Sequence, residues 1–284
     1  MQLVMFSKHL APLSIAESCA RVRDLHLDGL DLTVRPGGHV LPENVAKDLP
    51  AALKTARDHG LAIPMITTAI TDARTESAEQ IAATAASLGI KELKLGYWPY
   101  KEFGRIHELI DSARQSMDGL EALGQKHGVR FSIHSHSGSA LSAEAGNIYL
   151  ILKDRNPRNV GAYLDPGHMT LEGGGLGWMQ GIDLLQKYVT MVAVKSWGPT
   201  SRRDELTGEL HWDHRIVPLR EGTVRWREVF RCLKQLSWAG IVTFHSEYQG
   251  KSSWRDLSTE ELVAQTREDV AYLRPLMRTE GLLP

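Results

Sequence analysis

Short apolar runs alternate with longer amphipathic ones eight times along this chain, and that alternation leaves few architectures open. The apolar runs are LVMF (3–6), GLDLTV (29–34), LAIPMIT (61–67), KELKLG (91–96), GVRFSIH (128–134), NVGAYLD (159–165), VTMVAVKSW (189–197) and GIVTFHSEY (240–248). Each has the length of a strand. Each leads into a helix-like stretch, at 14–25, 42–60, 77–89, 105–127, 143–153, 178–187, 226–236 and 259–277. The runs hardly alternate apolar with polar residues, as expected of strands covered on both faces. Helix stops stand at His59-Gly60, Leu88-Gly89 and His127-Gly128, where glycine takes the left-handed conformation. Helix starts stand at Ser14 with Glu17, and at Ser258 with Glu260 and Glu261: a hydroxyl cap with early carboxylates.

The first four units recur roughly every 30 residues and the later ones more widely, near the average of a (β/α)8 barrel. An open doubly wound sheet would prefer a glycine-rich phosphate loop after its first strand. Here the chain reads FSKHLAPLS (6–14), without glycine. No linker divides the units. The expectation is an α/β fold: a single (β/α)8 TIM barrel, one domain over residues 1–284.

Net charge is −1 and the isoelectric point is near 6.9, so no basic stripe invites nucleic acid and no charge block invites a membrane surface. No apolar run approaches the roughly 20 residues that span a bilayer. MQLVMFSKHL lacks the features of a signal peptide. These observations predict a cytoplasmic protein with a small-molecule partner, and leave self-assembly open. Cys19 and Cys232 belong to no C-x-x-C pair and read as reduced, buried thiols.

In such a barrel the working residues sit at the C-terminal ends of the strands. Most of the 12 histidines fall at those ends. The first strand offers Lys8 and His9. The second offers Arg35 and His39 around Pro36-Gly37-Gly38, able to clamp a carboxylate or phosphate or simply to form an exposed loop. The fourth offers Tyr97 and Trp98. The fifth, FSIHSHSG (131–138), offers His134 and His136, which share a strand face because alternate side chains do. The sixth, LDPGH (164–168), offers Asp165 and His168, followed by Glu172 before three glycines. The seventh offers Lys195 and Trp197, and a long loop adds Arg202, Arg203, His211 and His214. The eighth offers His245 and Glu247.

His134, Asp165, His168, His245 and Glu247 form the strongest constellation. Imidazole and carboxylate are ligands for Zn, Mn or Co, and two histidines with one aspartate would leave positions open for substrate oxygens. The metal expectation is therefore His134, Asp165 and His245. His134, His245, Lys195 and Glu247 are candidate catalytic groups. His168, Arg35, His39, His136, Trp98 and Trp197 are candidate substrate contacts. Lys195 reads either as a buried amine tuned for proton transfer or Schiff-base chemistry, or as the partner of Asp165, Glu172 or Glu247 in a salt bridge. The tryptophans suit the C–H faces of a carbohydrate, or a hydrophobic lid.

LDPGH, VAVKSW (192–197), VPLREG (217–222) and GIVTFHSEY together resemble the xylose-isomerase-like TIM barrels, the sugar phosphate isomerase/epimerase superfamily that includes endonuclease IV. The resemblance implies a divalent metal and carbonyl-directed proton transfer on a sugar. It also implies ligands Glu, Asp, His and Glu from strands five to eight. Asp165 and His168 match that pattern. His134 stands where the fifth-strand Glu belongs, Ala193 where the seventh-strand His belongs, and Ser196 where H-x-K-D has Asp. His245 stands at the eighth-strand Glu, with Glu247 two residues on, and Arg220 replaces the first glycine of P-L-G-x-G. The expectation is a remodelled site for a sugar isomerase or epimerase working through an enediolate. TVRPGGHV and HSEY resemble a branch acting on keto-sugars and keto-glycosides, which adds a lyase or dehydratase as the alternative. A non-catalytic sugar-binding barrel is the third reading. Endonuclease-like cleavage is disfavoured by the missing histidine and the near-zero charge.

Overall fold

The computed structural model describes residues 1–284, and eight parallel strands in it close a barrel. In chain order these are β1 (Gln2–Phe6), β2 (Gly29–Val34), β3 (Ala62–Thr68), β4 (Glu92–Lys94), β5 (Arg130–His134), β6 (Val160–Leu164), β7 (Val189–Val194) and β10 (Ile241–Phe244). β1 closes the ring against β10, with Leu3 opposite Val242 and Met5 opposite Phe244. The covering helices are α1 (Ile15–Asp24), α2 (Val45–Asp58), α3 (Ala78–Ser87), α4 (Ile106–His127), α5 (Ala145–Leu152), α6 (Pro166–Leu185), α7 (Trp226–Gln235) and α8 (Thr259–Thr279). α1 and α8 open with full capping boxes, Ser14 with Glu17 and Ser258 with Glu261. Gly128 ends α4 at φ 69°. None of these helices is long and apolar enough to cross a membrane.

Residue parity along each strand assigns the side chains to two environments. Leu3, Leu30, Leu32, Leu93, Phe131, Ile133, Leu164, Val192 and Val242 point outward into one large core shared with the helices. Val4, Met65, Tyr163, Met191, Ala193 and Ile241 form a separate cluster inside the barrel. Alternate side chains point to opposite faces. The inward set therefore continues upward through Phe6, Asp31, Lys94, His134, Asp165, Lys195, His245 and Glu247. The same parity that buries aliphatics between sheet and helices gathers polar groups at the strand C-termini.

Two segments differ from the sequence reading. The long loop expected after the seventh strand is an antiparallel hairpin, β8 (Ser196–Arg203) with β9 (Leu210–Val217). Its outer part is exposed, with Trp212 70% accessible, so no apolar burial marks it as strand. α6 starts directly after Asp165 instead of near residue 178. Asp165 caps it, accepting from the His168 N–H at 3.1 Å, and Pro166 fills the first turn, where no N–H is needed. The glycines break this helix internally, at Gly174 (φ 51°) and Gly175 (φ 15°), instead of forming a loop before it.

Candidate functional site

His134 on β5 and His245 after β10 face each other across the barrel mouth, ring centroids 5.5 Å apart, with Asp165 beside them. All three are buried, Asp165 completely. Each offers one ligand atom, and the three atoms lie within 4.8 Å of one another. Each histidine is tied through its other nitrogen to a tyrosine hydroxyl. His134 Nδ1 is 2.8 Å from Tyr97 Oη, and His245 Nε2 is 2.8 Å from Tyr163 Oη. With each N–H donating to its tyrosine oxygen, His134 Nε2 and His245 Nδ1 present lone pairs. Both nitrogens are buried without a hydrogen-bond partner, and Asp165 Oδ2 has the Lys195 ammonium 3.3 Å away as its ionic partner. Leaving such nitrogens unpaired is costly, about 1–3 kcal/mol each. Two unpaired imidazole nitrogens converging with a carboxylate oxygen fit a divalent cation such as Mn, Zn or Co.

The electrostatics favour the ligand form. Burial, with Lys94 nearby, holds His134 well below its ordinary pKa, and burial with Lys195 does the same to His245. Both are neutral at physiological pH, as ligation requires. Lys195 settles between two acids: its Nζ is 3.3 Å from Asp165 Oδ2 and 3.4 Å from Glu247 Oε2. Burial works against its charge, but Asp165 and Glu247 outweigh burial and raise the pKa above that of an ordinary lysine. Lys195 is thus a fixed ammonium in a salt-bridge triad, the alternative to a tuned neutral amine. Glu247 is driven well below the usual carboxylate range: burial opposes the shift, but Lys195, His9 and Lys8 prevail.

The substrate candidates divide. His168 lies at the edge of the trio, its Nε2 unpartnered and 3.8 Å from Asp165 Oδ2, its Nδ1 2.6 Å from Ser137 Oγ. His136 packs on His168 with centroids 4.1 Å apart, and its Nδ1 meets the Ser137 carbonyl at 3.0 Å. Trp197 stands 5.7 Å from the His168 ring with its indole N–H unpaired. Arg35 lies over Phe6, whose ring stacks on His245 at 4.6 Å. His39 does not join them. Both its nitrogens are taken by the chain, Nδ1 by Thr33 Oγ1 at 3.3 Å and Nε2 by the Leu13 carbonyl at 3.2 Å. It staples the loop after β2 to the segment before α1, so it has no nitrogen left for a substrate. Trp98 is 9% exposed and belongs to the hydrophobic core, a wall of the fold and not a platform.

Tyr97, offered at the fourth strand end, joins the site through His134, whereas three inward residues were not among the candidates: Tyr163, Asp31 and Lys94. Tyr163 stands two before Asp165, and Lys94 and Asp31 are charges embedded in strand runs.

A barrel with polar groups converging at its C-terminal mouth belongs to the class of proteins that place a small-molecule site there. The chain belongs to the xylose isomerase-like TIM barrel family, whose family model matches residues 19–276. Three solved structures share the fold. One is the 3-keto-D-glucoside 4-epimerase of E. coli, 13% identical, covering 97% of this chain and 99% of its own, with TM-score 0.69. A xylose isomerase-like TIM barrel protein of Mycobacterium smegmatis in complex with magnesium is 16% identical, covers 99% and 98%, and scores 0.67. The probable 3-DHS dehydratase AsbF of Bacillus anthracis is 15% identical, covers 96% and 100%, and scores 0.66. No curated protein sequence matches the chain significantly.

Proposed function

We propose that this protein is a sugar isomerase or epimerase that acts on a keto-sugar or sugar derivative by removing and returning a proton next to the carbonyl. The observation that carries this reading is the convergence of three buried ligand atoms on His134, Asp165 and His245, the two imidazole nitrogens unpaired and the carboxylate beside the Lys195 ammonium. A divalent cation held by those three residues would polarise the keto oxygen. The similar E. coli protein is a 4-epimerase of a keto-glucoside, which agrees with this chemistry.

The chain's own groups divide the remaining work. His134 and His245 each have one free nitrogen, so neither can be both ligand and proton acceptor, and the ligand role uses the geometry best. Lys195, held charged, stabilises the oxyanion that develops as the proton leaves. Glu247 is the ionised carboxylate able to accept that proton. Its basicity is low while it pairs with Lys195, and it rises as the ammonium is drawn toward the substrate oxygen. His168, oriented by Ser137, keeps an unpaired Nε2 for a substrate hydroxyl or for proton return. Arg35, His136 and Trp197 border the same opening. Proton return to the opposite face gives epimerisation, and return to the neighbouring carbon gives isomerisation. Loss of a β-oxygen from the same enediolate makes a lyase, a second reading favoured by the fold shared with a probable dehydratase.

Incubation with a panel of ketoses in deuterated buffer tests the proposal. Deuterium enters at the carbon next to the carbonyl of at least one ketose, and Glu247→Gln slows entry by about 100-fold or more. Absence of exchange into every ketose, with or without added Mn2+, contradicts it.

A further inference from the structure

Two cations flank the trio, each one aromatic ring away from a proposed ligand histidine. Lys94 Nζ lies 3.7 Å over the Tyr97 ring, and Tyr97 bonds His134. The Arg35 guanidinium lies 5.8 Å over Phe6, and Phe6 stacks on His245. Neither cation has a carboxylate oxygen within the 4.0 Å of an ion pair, whereas Lys195 has two. Lys94 is only 3% exposed. A cation buried to that extent without a partner is strongly disfavoured, and proteins normally pair or neutralise it.

Asp31 does not fill the gap. The register sets Lys94 level with Thr67, and sets Asp31 level with Met65, one pleat deeper. Asp31 Oδ1 is engaged by the Thr67 hydroxyl at 2.8 Å, and burial raises its pKa to about 7, so it gives partial charge at best. Burial, then the repulsion of Arg35, lowers Lys94 to about 7. A bound anion would offset the repulsion of Arg35 and hold Lys94 charged.

We propose that Lys94 and Arg35 form an anion subsite beside the reacting centre, taking a carboxylate or phosphate carried by the substrate. Naming that substrate a sugar rests on the function proposed above; the subsite itself does not. An ammonium and a planar guanidinium near enough for Arg35 to repel Lys94 suit an oxyanion with several acceptor oxygens. The substrate class is therefore an anionic keto-sugar, a keto-acid sugar or a ketose phosphate, in preference to a neutral ketose.

The test measures binding of inorganic phosphate and of D-gluconate to the purified full-length protein, with D-glucitol as the neutral control and ionic strength fixed with chloride. Saturable binding of phosphate assigns the subsite to a phosphate, and of gluconate to a carboxylate. Lys94→Met and Arg35→Met each weaken that binding about tenfold or more. Lys94→Met removes an unpaired buried charge, so it is at least as stable as the parent in urea, which separates lost binding from lost folding. If neither anion binds better than chloride, or both substitutions leave binding intact, the subsite is wrong. The deuterium panel, run with neutral and anionic ketoses, keeps the two proposals apart. Faster exchange into neutral ketoses removes the anion subsite and leaves proton transfer standing. Absence of exchange, with anion binding still dependent on Lys94 and Arg35, does the reverse.

Discussion

The Tyr163 hydroxyl reaches His245 Nε2 at 2.8 Å, inside the barrel and away from solvent. Tyr163 rises from the dry cluster at the barrel centre, so it joins the packed interior to the polar mouth. With its oxygen accepting the His245 N–H, the imidazole keeps Nδ1 as a lone pair for the site shared with Asp165 and His134. Outer partners of this kind fix the tautomer and orientation of a ligand imidazole.

Tyr163→Phe therefore weakens divalent-cation binding by about 10- to 100-fold. It also leaves the buried Nε2 unpaired, at a cost of about 1–3 kcal/mol. Titration calorimetry with Mn2+ and urea unfolding of the metal-free protein measure the two effects separately. Unchanged affinity would show that Tyr163 does not orient a ligand.

Gly167 is required by a close approach. A Cβ there would meet the Lys195 carbonyl oxygen at 2.7 Å, Asp165 Oδ1 at 3.0 Å and Lys195 Cγ at 3.1 Å. Gly167→Ala must move Lys195, just past β7, or the Asp165 carboxylate, and both residues belong to the salt-bridge triad. The expected loss is about 1–3 kcal/mol of stability, with at least a tenfold fall in turnover if Lys195 acts on the oxyanion. A variant of parental stability and activity would contradict this packing.

The barrel was legible because its signals are local. Glycine stops, capping hydroxyls and eight apolar runs each mark an element independently of its neighbours. Asp165, His134 and His245 were legible because they end strand runs. Tyr163, Lys94 and Asp31 were not, since they lie within the runs and the inward face shows no contrast in hydropathy that identifies it. Counting back by two from Asp165 would have found Tyr163. The hairpin was hidden for the opposite reason: SWGPTSRR is polar and carries Pro199, and beyond the buried base at Ile216 its strands pair with each other at the surface without burying an apolar face. His39 misled because histidine in a glycine-rich loop resembles a ligand-binding residue, while its contacts to Thr33 and Leu13 depend on the folded chain.

Asp269 gives the stability a pH dependence away from the site. In α8 it accepts from the Leu219 N–H at 3.0 Å and from the Tyr248 hydroxyl. Burial raises its pKa from 3.8 to about 6. A carboxyl raised on folding contributes stability that is complete below its unfolded pKa and is lost as pH rises through its folded pKa. The stability of the parent thus falls between about pH 4 and pH 6 relative to Asp269→Asn, by about 3 kcal/mol once both limits are passed. Urea unfolding of the two proteins from pH 3.5 to 7.5 checks this. Parallel profiles would contradict it.

The most direct measurement is an anomalous difference map from crystals soaked in Mn2+. The account predicts a peak about 2.0–2.3 Å from His134 Nε2, Asp165 Oδ2 and His245 Nδ1. A map empty between those atoms, with Lys195 still the sole cation beside Asp165, would contradict it.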